Sequence, residues 1–276
     1  MSSILSRGVA ITISAVSSLV LGAGHVPADP SGFGSRAEAE APQRQGGDSG
    51  YSIREAPPGR PFYFTRAVYS DNRSGWYSSW SIDFPKADRQ FIIGVRRLTN
   101  IDAYEYENPV QLDDPDLRRY PFLYALEVGY MSLTPSEVQG LRDYLLAGGF
   151  LVIDDFWGTY EWRNFEVQMR RVLPDHGIVD IPPDHPLLST FYEVNEIVQV
   201  PNVGQGVRGG PTYERDGYVP MLKGIFDEAG RLMVVINWNT DLGDAWEWAD
   251  HPYYPLRFSN FAYQLGINTI IYGMSH

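Results

Sequence analysis

The stretch TPSEVQGLRDYLLAGGFLVIDD, residues 134–155, decides the fold, because it contains a complete helix signal followed by a complete strand signal. Thr134, Pro135 and Glu137 match a capping box with proline at the first helical position: the Thr134 hydroxyl accepts from the Glu137 backbone N–H, and the Glu137 side chain returns the bond. Val138, Leu141 and Leu145 then fall on one helical stripe, and Gly148 and Gly149 end the helix where a left-handed residue is needed. Phe150 to Ile153 is an uninterrupted apolar run, the pattern of a strand covered on both faces in a parallel sheet.

Working outward, the same alternation repeats. Phe62 to Tyr69, Phe122 to Val128 and Leu232 to Ile236 have strand patterns. Helices are expected over Pro85 to Leu98, with Phe91, Ile92, Val95 and Leu98 on the buried face, over Trp162 to Leu173 before Pro174, and over Phe258 to Leu265. Ile267 to Tyr272 is expected to be a last strand or a helix end. This predicts an α/β fold: a doubly wound, mostly parallel sheet with helices on both faces. Ligands of such sheets bind beyond the carboxyl ends of the strands, which directs attention to Ser70 to Trp76, Gly129 and Tyr130, Asp154 to Gly158, and Asn237 to Trp248.

Towards the N-terminus the pattern changes. Arg7 precedes a nearly uncharged apolar run from Gly8 to Gly24, and Val26, Pro27 and Ala28 offer small residues for cleavage, so residues 1–28 are expected to be a secretory signal or, if uncleaved, a membrane anchor. Residues 29–59 hold Pro, Gly, Ala, Glu, Gln and Arg with almost no large apolar side chain, as expected of a disordered linker. The folded domain is expected over residues 60–276, in a protein of the periplasm or cell envelope.

Composition narrows the chemistry. A formal net charge of −12 disfavours nucleic acid, whose phosphates require clustered Lys and Arg. The absence of cysteine excludes thiol nucleophiles, disulfides, thiolate metal sites and iron–sulfur clusters together. No cofactor and no committed set of metal ligands is expected.

Taken together, Tyr120 to Tyr124, Leu141 to Leu145 leading through Gly148, Gly149 and Phe150 to Asp154 and Asp155, the run Asp184-His185-Pro186-Leu187, and Asn239 to Asp244 resemble the bacterial domain of unknown function numbered 4159, over nearly all of the chain from Pro61 onward. That resemblance implies a flavodoxin-type sheet like that of class I glutamine amidotransferases, in exported or membrane-associated bacterial proteins, and carries no activity with it. Glutaminase chemistry of that superfamily needs a cysteine on a sharp strand-to-helix turn; this chain has none.

Chemistry therefore falls to other side chains. Asp154 and Asp155 end a buried strand, where successive residues face opposite ways, so one is expected to enter the cleft while the other packs beside it or caps the next element. Asp241, Asp244 and Glu247 recur every third residue among Trp238, Trp246 and Trp248, so a helical coil would set the three carboxylates on one face. Carboxylates beside aromatics suit a sugar cleft or a hard-cation site; the alternative is a solvated acidic turn over a Trp-packed lid. Trp157, His185, Asn239, Asp244 and Trp246 are the expected ligand contacts, although a lone His before proline commonly fixes a loop. Gly204 to Gly209 has dinucleotide-binding spacing after a strand expected at Ile197 to Val200, yet the segment is broken again at Gly217 and Pro220, so a flexible loop is expected. Asp113, Asp114 and Asp116 are expected to cap a short helix before Tyr120.

Two functions follow. One is a non-catalytic binding or assembly module of the cell envelope, with an envelope protein or a carbohydrate-like ligand as partner. The other is a carboxylate-dependent hydrolase or lyase on a carbohydrate-like substrate, with Asp154 or Asp155 and Asp241 or Glu247 as acid and base.

Overall fold

The computed structural model describes residues 62–73 and 78–276; the expected signal and linker lie outside them. The described elements are β1 Thr65–Val68, α1 Lys86–Leu98, β2 Asn108–Gln111, β3 Phe122–Leu126, α2 Pro135–Leu146, β4 Phe150–Asp154, α3 Gly158–Val172, β5 Ile178–Asp180, α4 Val203–Arg208, β6 Met221–Phe226, β7 Leu232–Trp238, α5 Leu242–Glu247 and α6 Leu256–Ser275. The fold is α/β, with one seven-stranded sheet in the order β2-β1-β3-β4-β7-β6-β5. Its β2, β1, β3, β4 and β7 strands pair in parallel. The sheet is mixed, because β6 runs antiparallel to β7 and β5 antiparallel to β6.

Residues 134–155 fold as their side chains dictate. Thr134 Oγ1 accepts from Glu137 N at 3.2 Å and Glu137 Oε2 accepts from Thr134 N at 2.7 Å. Glu137 Oε1 also accepts from Ser70 N at 2.7 Å, so the capping box ties α2 to the chain leaving β1. Gly148 has φ of +106°, and β4 follows, buried along its whole length.

Alternation along the central strands separates two cores. Tyr124 and Val152 face the layer of α1, α5 and α6, with Phe91, Phe258 and Leu265. Leu123, Ala125, Leu151 and Ile153 face α2 and α3, with Leu141, Tyr144, Phe165 and Met169. Both faces of the sheet are thereby covered, as the continuous apolar runs require. Among the described residues no helix is long and apolar enough to cross a membrane.

Several expectations change. Leu98 is exposed rather than on the buried face of α1. α3 begins at Gly158, ahead of Trp162, and Ile267 to Tyr272 belongs to the single helix α6. Gly204 to Gly209 is no loop: it forms α4, where Asn202 Oδ1 accepts from Gln205 N at 3.0 Å and Gly209, φ +67°, ends the turn. No strand forms at Ile197 to Val200, so the dinucleotide arrangement lacks its strand. Leu117–Arg119 makes the short 3₁₀ turn expected before Tyr120.

Candidate functional site

The carboxyl ends of β3, β4 and β7 each meet a residue in the left-handed backbone region: Glu127 (φ +54°), Asp155 (φ +45°) and Asn239 (φ +63°). Asp83 (φ +60°), in the connection from β1 to α1, is a fourth. This region is uncommon for residues with a Cβ and least strained for Asp and Asn. Each turns the chain sharply at the strand end, and the turns surround a cavity of about 200 Å³ lined by Asp83, Glu127, Asp155, Trp157, Asp241 and Asp244, with Arg73, Tyr130, Glu161, Glu214 and Arg215 also in its wall.

The two carboxylates ending β4 separate. Asp154 is wholly buried and absent from the cavity wall, and its Oδ2 accepts from Tyr124 Oη at 2.6 Å and from Gly243 N at 3.0 Å. Burial pushes its pKa up to about 6 against the pull of these donors. Asp155 lines the cavity, and its Oδ1 accepts from Trp157 Nε1 at 2.8 Å. Burial, then the charges of Glu127 and Asp83, hold its pKa well above the usual carboxylate range.

The acidic repeat after β7 does coil. Asp241 is the N-cap of α5 and its Oδ1 accepts from Asp244 N at 2.8 Å. Asp244 Oδ2 accepts from Val203 N at 2.6 Å, which fixes α4 beside α5. Asp241 and Asp244 are 4% and 7% exposed, so the solvated-turn alternative does not hold for them. Burial raises the pKa of Asp241 well above the ordinary range, reinforced by Asp155 and Asp244, and burial followed by Asp244 raises that of Glu247.

Asp83 joins these two groups. One carboxylate oxygen each from Asp83, Asp155 and Asp241 lie within 4.8 Å of one another, and so does one each from Asp83, Asp244 and Glu247. Asp83 is half-buried, but its Oδ2 is shielded from solvent and has no hydrogen-bond partner. The segment is held in place by Arg66, a fully buried guanidinium that pairs with the equally buried Asp88 and donates to the carbonyls of Trp80 (3.4 Å) and Ile82 (3.2 Å). Arg66 is thus committed to Asp88, because a buried ion pair is favourable only when fully satisfied.

Two ion pairs cross the rim. Arg73 reaches Glu127 at 3.3 Å, and burial, opposed by Arg73, pushes the Glu127 pKa up to about 7. Arg215 reaches the buried Glu161 at 2.7 Å and Tyr130 Oη at 2.6 Å. The loop bearing Arg215 is pinned to the start of α3, where Asp216 accepts from Thr159 N at 2.9 Å.

Of the expected contacts, Trp157 and Asp244 line the cavity, and Glu247 adjoins it through Asp83 and Asp244. Asn239 is engaged elsewhere: its Oδ1 accepts from Gly158 N and its Nδ2 donates to Val219 O, both at 2.8 Å. Trp246 stacks on Phe91 at 4.1 Å within the core, so it offers no platform to a ligand in the cavity. His185 lies between Phe226 and Tyr272 and is absent from the cavity wall. Asp83, Glu127 and Arg215 fall outside every stretch the sequence singles out for ligands, whereas Arg73 lies within Ser70 to Trp76. The signal for Glu127 is the acidic residue closing a buried run; Asp83 has no such local signal.

Chemically, carboxylates held protonated near neutrality can donate and accept protons, and ionised ones can bind a hard cation or hydroxyl groups. No curated protein matches the chain. The profile of one family, described as a domain of unknown function (DUF4159), matches residues 64–274. Since that match spans most of the chain and all of the strand ends that build the cavity, the protein belongs to the DUF4159 family.

Proposed function

We propose that the chain is an exported bacterial protein whose α/β domain acts as a binding or assembly module of the cell envelope and takes its ligand in the carboxylate cleft. The observation that carries this reading is the cleft: Asp155, Asp241 and Asp244 are each at least nine-tenths buried yet line one cavity at the carboxyl ends of the strands. Burying charged groups together destabilises a fold, and such groups concentrate where binding or catalysis uses them. The cavity, about 200 Å³, is below the ~300–1,000 Å³ of drug-sized sites, which suits a small polar ligand or one unit of a larger one. The parallel order β2-β1-β3-β4-β7 supports the finer placement in a flavodoxin-like, amidotransferase-like architecture, with the cleft extending along the carboxyl ends from the β1–β3 reversal to β7. The apolar run at residues 8–24 supports export and an envelope location.

One observation favours the second reading, a carboxylate-dependent hydrolase or lyase. Oxygens of Asp155 and Asp241 lie within 4.8 Å, near the ~5–5.5 Å between the carboxyl groups of retaining glycosidases. Titration with oligosaccharides released from bacterial cell walls, with products followed by mass spectrometry, separates the two. Saturable binding without cleavage, lost in Asp155→Asn, is the expected result. Cleavage lost in the same variant would establish the enzyme instead, and indifference of every probe to that substitution would remove the cleft from both.

A further inference from the structure

We propose that the cleft holds one hard divalent cation between the carboxylates of Asp83, Asp155 and Asp241. This deepens the reading that the cleft is the ligand site, on which it rests, by naming the species that occupies it.

Convergence of acids alone would not suffice, but the bonding state of these groups points to a ligand. Asp155 and Asp241 are 7% and 4% exposed, each uses one oxygen on an internal donor, and each keeps the other without a donor in the cavity wall. Asp83 lines the cavity, and its Oδ2 is sealed from solvent with no partner. Buried polar atoms are nearly always satisfied, so a sealed carboxylate oxygen without a partner, on a residue whose carboxylate lies within 4.8 Å of two others, points to a ligand of positive character. Among the described residues none is supplied there: Arg66 is committed to Asp88, while Arg73 and Arg215 are engaged by Glu127 and Glu161 at the rim.

The donor set selects the ion. All three ligands are carboxylate oxygens, the chain has no cysteine, and among the described residues no His lines the cavity, which disfavours zinc and copper and suits calcium or magnesium. Oxygens within 4.8 Å of one another match opposite or adjacent ligands of an ion with metal–oxygen distances of about 2.3–2.6 Å, so calcium needs the least rearrangement. The second triad is less enclosed, because Glu247, unlike Asp155 and Asp241, is only half-buried.

The full-length protein, stripped with chelator, is titrated separately with CaCl₂ and MgCl₂ while its thermal transition is followed, and Mn²⁺ binding is counted by electron paramagnetic resonance. At a hundredfold excess over Kd the transition should rise by roughly 5–10 °C. One Mn²⁺ should bind per chain. Asp155→Asn combined with Asp241→Asn should abolish both effects and still fold by circular dichroism, whereas Asp180→Asn, an exposed carboxylate on β5, should leave both unchanged. A transition unmoved by either ion, or a shift that persists in the double variant, overturns the proposal. If the ions fail while a cell-wall oligosaccharide still binds in an Asp155-dependent way, only the cation is lost; if both fail, the ligand-site reading falls with it.

Discussion

Asp241 performs two tasks with one carboxylate: it caps α5 and it faces Asp155 across the cleft. Asparagine caps a helix about as well as aspartate but carries no charge. Asp241→Asn should therefore keep α5 and, in chelated buffer at pH 7.5, raise the urea midpoint, because it removes a buried charge whose ionisation burial and the neighbouring carboxylates oppose. The pH dependence follows with a definite sign. The folded pKa values of Asp154, Asp155 and Asp241 lie above their unfolded values, so the folded state holds extra protons between the two and stability falls as pH rises through that window. For Asp154 the window runs from the ordinary 3.8 to about 6, and for Glu127 from 4.5 to about 7. The thermal midpoint of chelated wild type should be higher at pH 5.5 than at 7.5, and the Asp155→Asn, Asp241→Asn protein should show a smaller difference; equal differences would contradict the assignment. At this scale the sequence was partly legible. Period three placed Asp241, Asp244 and Glu247 together, and the same periodicity turns Trp246 to the opposite side, into the core against Phe91. Asp83 was hidden, because its position depends on Arg66 holding the carbonyls of Trp80 and Ile82, a contact no local pattern encodes.

Among the elements, those with self-contained signals were legible. The capping box of α2 needs only four residues, and Thr134→Ala should cost about 1 kcal/mol in urea unfolding while leaving cation affinity unchanged. β2, β5 and β6 went unseen for separate reasons. β2 carries Pro109, tolerable on the sheet edge it occupies but contrary to a strand pattern. β5 has only three residues, and β6 mixes Lys223 and Gly224 into its apolar positions. Gly266, between the helix expected over Phe258 to Leu265 and the run Ile267 to Tyr272, is a place of close approach within α6: a Cβ there would meet Phe91 at 2.8 Å and Trp246 at 2.9 Å. Gly266→Ala would gain about 1 kcal/mol of helix propensity yet lose about 1–3 kcal/mol by overpacking, so a net loss in the urea midpoint is expected.

For the molecule as a whole, alternating strands and helices disclosed the parallel core, while the antiparallel extension was set by the turn at Asp227 to Gly230, where Asp227 Oδ1 accepts from Ala229 N and Arg231 N. Hydrogen exchange should follow this division, with the slowest amides in β3, β4 and β7 and the fastest strand amides in β5, the short edge. Because both faces of the sheet are packed, the strand ends are the place left for a cleft, and they acquire it by bending the backbone into left-handed geometry at Asp83, Glu127, Asp155 and Asn239. Such residues cost on the order of 1–3 kcal/mol each, and glycine would relieve that strain. Glycine at 83 or 155 would also remove a buried like charge. A laboratory selection for heat resistance alone would therefore gravitate to these positions and erode the cleft first, so the places where this protein most readily gains robustness mark what it gives up robustness to keep.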